Sequence, residues 1–299
     1  MSHSLSLEVG PEAAARIERL ADAAEKKRLD PETALDWAEP VDGPWMHMPR
    51  EFSPLAGPPL YDALSLPERR RLSLHEAASM LGTGIWFENL LINALARHAY
   101  NLTVDDPLFR FLLVEIEEEC RHSLMFGEYI RRAKTAPYRP SWWLRLQGKY
   151  YWLTGSRCVF YLSILGTEEI LHGMTDCAWH APDTHPALKE LMRIHTVEEQ
   201  RHMAFAREYL AAAFPRLRPW GRWYARIFAP IVIYSVVQAS VDPAVYRAVG
   251  IPGGWEAAWS NPVRRARVKK SLARYTSFCR DIGLITPATD PLWRLLGLL

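Results

Sequence analysis

Cysteine is scarce in this chain. Its four copies, Cys120, Cys158, Cys177 and Cys279, lie far apart with no C-x-x-C pair, which argues against both a zinc knuckle and a disulfide framework. Reduced thiols in a cytoplasmic protein are the expectation. A surplus of either charge is also missing: 36 basic and 34 acidic side chains leave a formal net charge of +2, and the basic residues are scattered along the chain. There is thus no electrostatic footprint for nucleic acid. The first twenty residues show no basic start followed by an apolar run, so no secretory signal is read there. The most apolar segment, IFAPIVIYSVVQASV at 227–241, contains Pro230 and Gln238. It falls short of the roughly 20 residues a membrane span needs, which predicts a buried helix and no span. Alternating β-branched runs closed by Asn-Gly or Asp-Gly turns are nearly absent as well.

What is present is helical periodicity in a chain of 299 residues, 49% hydrophobic, enough for one large domain. The fold class predicted is all-α. Residues 1–67 hold a polar N-terminal helix and a proline-rich wrap with several aromatics, 68–213 form a core of four long helices, and 214–299 add accessory helices, expected near 218–247 and 260–281. The core helices are expected near 68–100, 106–134, 141–180 (with an interruption near Thr154–Ser156) and 184–213. Asp105 or Asp106 before Pro107 suits a capped start, and the DTHP stretch before 186 repeats that pattern. Short links between long helices describe an elaborated four-helix bundle.

Two stretches of this core share a pattern. EIEEECRHSLMFGEY at 115–129 and HTVEEQRHMAFAREY at 195–209 align at an offset of 80, matching Glu119 to Glu199 and His122 to His202. Each Glu-x-x-His unit has a glutamate 31 residues upstream, Glu88 for the first and Glu168 for the second. Residues three apart on a helix differ by about 60° in azimuth, so each Glu and His can address one ion. A carboxylate from the preceding helix completes each half, the arrangement by which four-helix bundles hold a dinuclear site. Four carboxylates converging in a core would repel one another without a cation, and oxygen donors mixed with imidazole suit iron or manganese. His195, four before Glu199, faces the same way; its counterpart in the first half is Glu115. Glu169 with His172 is a third Glu-x-x-His and competes with Glu168, which the symmetry favours. Glu118, Glu198, Glu128 and Glu208 are expected to meet solvent or arginine, and Arg121 and Arg201 are candidates either to support the carboxylates or to lie on the surface.

At these residues the chain resembles the diiron N-oxygenases typified by p-aminobenzoate N-oxygenase, the AurF-like family. The matching elements are Glu88, the EECRH stretch with Glu119 and His122, Glu168, and HTVEEQRH with His195, Glu199 and His202. The third histidine is the most specific of them, since ordinary ferritin-like diiron proteins carry two. The resemblance implies a ferritin-like bundle with two Fe ions as cofactor and O2 as co-substrate. It also implies oxidation of a small-molecule amine, aromatic or carrier-bound, through a peroxo-diferric intermediate toward hydroxylamine, nitroso and nitro products. A diiron hydroxylase or desaturase acting at carbon is the alternative. Because no flavin or nicotinamide motif is present, a separate electron donor is expected. Related enzymes are often homodimers, and the twelve tryptophans suit either a dimer interface or burial within one chain. Arg97 and Arg121 are the candidates to receive a substrate carboxylate.

Overall fold

Capping sets where the long helices start. The computed structural model describes residues 10–57, 59–154 and 156–299, and the side chains of 151–154 are not among those described. Helix α1 spans Pro11–Lys26. Helix α2, Leu66–Ala99, opens on a capping box in which Ser65 and Glu68 satisfy each other's backbone donors. Helix α3, Pro107–Ala133, starts where the Asp106 side chain accepts from the Leu108 amide, and it ends at Lys134 in the left-handed conformation. Helix α4 covers Trp142–Thr154 and α5 Arg157–His180, with Ser156 accepting from the Val159 amide at the start of α5. Helix α6 runs from Pro186 to Ala213; its leading residue is His185, which makes no side-chain cap, so Pro186 is the only part of the expected start signal that operates.

The expected third helix is thus two. Its break falls at the predicted interruption, of which Gly155 lies outside the described residues. The all-α expectation holds: among the described residues the only β pairing is an isolated bridge between Met46 and Thr184. It ties the proline-rich wrap to the start of α6.

Helices α2 and α3 pack as one hairpin and α5 and α6 as another, the four-helix core. Helix α1 lies against both α3 and α6. Its apolar stripe of Ala13, Ala14, Ile17, Ala21 and Ala24 is buried there, and Arg16 reaches Glu208 of α6 at 2.8 Å. The opposite side of α5 carries α7, Pro219–Ala239, whose Ala225, Ala229, Ile233 and Val237 face inward. A Cβ at Gly166 of α5 would stand 2.6 Å from Ile233 Cδ1, so the glycine permits this close approach.

The apolar segment at 227–241 is therefore buried along one face only, while Trp220 and Trp223 near its start are exposed. Together with the following turn, Pro219–Ala248 is the one stretch among the described residues long and apolar enough to cross a membrane by length and composition. The expected helix to 247 stops at Ala239, because Asp242 precedes Pro243 and is held out of the helical region; it caps a new turn by accepting from Ala244 at 2.7 Å. The expected helix at 260–281 likewise divides into α8, Pro262–Ser271, and α9, Ala273–Asp281.

Candidate metal centre

Helices α2, α3, α5 and α6 each turn acidic or imidazole side chains into the bundle interior, where Glu88, Glu119, His122, Glu168, His195, Glu199 and His202 are all buried. Ligand-capable atoms of these residues lie within 4.8 Å of one another in overlapping sets of three: Glu88 with His122 and His195, Glu119 with His122 and Glu199, and Glu168 with His195 and Glu199. Glu119 and Glu199 stand at the middle. His122 Nδ1 lies 3.0 Å from Glu119 and 3.3 Å from Glu199, while His202 Nδ1 lies 2.9 Å from Glu119 and 3.2 Å from Glu199. His195 enters by its other nitrogen, with Nε2 3.6 Å from Glu88 and 3.7 Å from Glu199. The duplicated histidines thus face the cluster with Nδ1 and the extra one with Nε2.

An eighth residue joins them. Glu115 forms a fourth set with Glu119 and His202 and is fully enclosed. The offset of 80 marks it, since it occupies the place of His195 in the other half, and that offset is the signal by which the sequence could have included it.

The competitor Glu169 is drawn out of the cluster by an ion pair with Arg207 on α6. Glu168 is the member of that pair within the cluster, and neither Glu169 nor His172 joins any of the four sets.

Of the two alternatives for Glu118 and Glu198, the structure takes arginine and not solvent: each is at most 2% exposed. Glu198 on α6 accepts from Nε2 of His122 on α3 at 2.8 Å and from Arg121 at 3.0 Å. Reciprocally, Glu118 on α3 accepts from Nε2 of His202 on α6 at 2.8 Å and from Arg201 at 2.5 Å. One residue round from the ligand face is the seam between α3 and α6, and α1 packs on both helices, which removes that face from water. Glu128 and Glu208 do pair with arginines near the surface.

Electrostatics test whether this donor set fits a metal. Burial first, and then repulsion from neighbouring carboxylates, pushes Glu88 and Glu168 well above the ordinary carboxylate range. Burial disfavours the charged forms of His122 and His202 too, yet the adjacent glutamates outweigh it and hold both imidazoles protonated. Burial pushes His195 down to about 4, so it is neutral with a lone pair to give. Without cations, then, protons hold this cluster together, and metal ions would replace them. Even so, Glu88 Oε2, Glu119 Oε1, both Glu199 oxygens, His195 Nδ1 and His202 Nδ1 are buried without a hydrogen bond. Such crowding of unpaired oxygen and imidazole donors is what a hard or borderline cation resolves.

Fold and cluster together define the class: an all-α protein with a helical bundle whose core gathers carboxylates and imidazoles able to hold metal ions. The particular family follows from sequence comparison. The model of the family described as p-aminobenzoate N-oxygenase AurF matches residues 10–283, and the chain belongs to that family. Uncharacterized proteins of Mycobacterium bovis and Mycobacterium tuberculosis are 28% identical to it over 290 residues, spanning 92% of this chain and 84% of each relative.

Beside the cluster lies a largely apolar cavity. Glu88 and His195 touch it, and Phe87, Phe126, Met174 and Met192 form part of its wall. Tyr161 and Phe205 lie in the packed core and do not line this cavity. Neither arginine predicted to receive a carboxylate lines this cavity: Arg97 is exposed and Arg121 is engaged with Glu198.

Proposed function

We propose that this protein is an O2-dependent non-haem diiron oxygenase that oxidises the nitrogen of a small amine. What carries the reading is the convergence of two Glu-x-x-His units and their upstream glutamates on one buried point, with a third imidazole from His195, in a chain of the N-oxygenase family. Two iron ions bound there would supply the electrons that activate dioxygen for transfer to nitrogen.

The chain's own groups do the rest. Glu119 and Glu199, central to the cluster and each close to both His122 and His202, would hold metal there. His122 and His202 would bind through Nδ1, because Glu198 and Glu118 accept the hydrogen on Nε2 and so fix the tautomer. Glu88, Glu168 and His195 complete the set, with Glu115 beside Glu119 and His202. The apolar wall of the adjoining cavity keeps bulk water from the reacting nitrogen and holds the amine against the cluster. The whole chain acts as a single catalytic domain and receives its electrons from a separate donor.

Loading the chain with ferrous iron under argon, then admitting oxygen with a panel of aryl and alkyl amines and a chemical reductant, tests the reading. Growth of nitroso or nitro absorbance with at least one amine is the expected result. Iron-loaded protein that hydroxylates or desaturates carbon while leaving every amine intact would replace it with the hydroxylase or desaturase reading.

A further inference from the structure

The cavity beside the cluster does not end there. A second cavity, farther from the cluster, shares Met80, Thr167, Leu171, Met174, Val236 and Ser240 with the first, so the two adjoin across these side chains and together outline a path. Its first part is apolar apart from the cluster itself. The hydroxyl groups along it already donate within the protein, Thr167 to the Ser163 carbonyl and Ser240 to that of Val237. Its second part is lined by Arg264 and Arg267 of α8.

No carboxylate contacts either arginine directly, although Glu51 lies within electrostatic reach of Arg267. Among the described residues neither forms an ion pair within 4.0 Å. Arg264 is buried and donates to the Val237 carbonyl at 2.7 Å and to Gln238 at 3.2 Å, which uses two of the five donors of its guanidinium. Arg267, half-buried, lies over the Phe52 ring at 5.2 Å. Two carboxyls act on Arg267 without an ion pair: exposed Glu51 and, more weakly, buried Glu76, which is satisfied on one oxygen by Ser53 and which burial pushes up to about 8. Burial in turn presses both guanidinium groups below their usual range. Helix α8 adds to the field: it carries five cations, Arg264, Arg265, Arg267, Lys269 and Lys270, and no acid occurs between Glu256 and Asp281.

A buried guanidinium and a half-buried one, neither in an ion pair, at the far end of an apolar path suit an anion. Resting on the oxygenase reading above, the geometry points to a substrate that is an elongated amphiphile: an amine at the cluster, an apolar body along the shared stretch, and a carboxylate or phosphate held by Arg264 and Arg267. An aminobenzoate, with its acid one ring away from its nitrogen, would not use this second cavity. The arginines that select substrate therefore lie on the C-terminal helices.

Binding of 6-phenylhexanoate, 6-phenylhexyl phosphate and the neutral methyl 6-phenylhexanoate to the full-length chain, followed by titration calorimetry, tests this. It is done with ferrous iron under argon and again without metal, so that an anion bound to iron is told apart from one bound to arginine. At least one anion should bind about tenfold or more tightly than the ester in both forms, the size of a charge-assisted hydrogen bond made without water. Arg267→Gln should bring that preference to within about threefold, and Arg267→Lys should keep most of it, with thermal melts showing both variants folded. Leu171→Trp, which fills the shared stretch, should weaken both anions.

Equal binding of anion and ester, a preference unchanged in Arg267→Gln, anion binding indifferent to Leu171→Trp, or no binding of any probe would each overturn the assignment. Whichever anion binds better identifies the head group. The metal-free measurement stands whether or not the iron-loaded protein oxidises amines, so this inference and the oxygenase reading fail separately.

Discussion

Each duplicated histidine is held by a carboxylate from the opposite helix, His122 by Glu198 and His202 by Glu118. Replacing Glu118 by Ala frees the Nε2 hydrogen of His202 and leaves Arg201 without its buried partner. Iron affinity should then fall about 10- to 100-fold, measured by competition with a chelator. Unchanged affinity would show the contact to be packing alone. The ligand-type residues were legible in sequence because duplication repeats both the 31-residue spacing and the Glu-x-x-His unit. Glu118 and Glu198 were not, because a helical wheel assigns the face next to the ligands to solvent by default. That face is covered only once α1 is in place, and nothing in the periodicity of α3 or α6 announces α1. Arg264 and Arg267 escaped notice for a related reason: they lie about sixty residues beyond the last ligand, and only the packing of α8 brings them to the cavity.

Among the elements, the contact of α5 with α7 and α9 depends on Gly166. A Cβ there would meet Ile233 Cδ1 at 2.6 Å and Tyr275 Cζ at 3.2 Å, both packed side chains. Gly166→Ala should therefore lower unfolding stability by about 1–3 kcal/mol in urea, the usual cost of overpacking. Gly127→Ala, where a Cβ meets nothing within 4 Å, should be neutral or stabilising by up to about 1 kcal/mol through helix propensity. Equal effects of the two would contradict the close approach. Helix starts were readable where a capping side chain precedes a proline, as at Asp106–Pro107. The long reading at 218–247 failed because hydrophobic periodicity continues across Ser240–Pro243, while the backbone cannot follow it through the restriction imposed by Pro243.

Over the whole molecule, the apolar surface is unevenly distributed. Trp142, Trp143 and Tyr150 of α4 and Trp220 and Trp223 of α7 are each more than half exposed, so burial within one chain does not account for all the tryptophans, and these faces suit a second surface. Overall charge reads as balanced, yet the basic residues are not evenly scattered: α8 carries a run of five cations and no acid, which a chain average hides. The bundle, its four long helices and their inward acids were readable because helical period and metal-type spacing reinforce each other; the accessory helices lacked any such second signal.

In the proposed function the two duplicated halves build one dinuclear iron site. Anaerobic ferrous loading followed by iron quantification and Mössbauer spectroscopy tests it most directly. About two irons per chain are expected as a coupled pair, falling to about one or fewer in Glu119→Ala and in His202→Ala. No loss is expected in Glu169→Gln, whose carboxylate pairs with Arg207. Fewer than about one iron per wild-type chain, or two irons retained by Glu119→Ala, would contradict the dinuclear site.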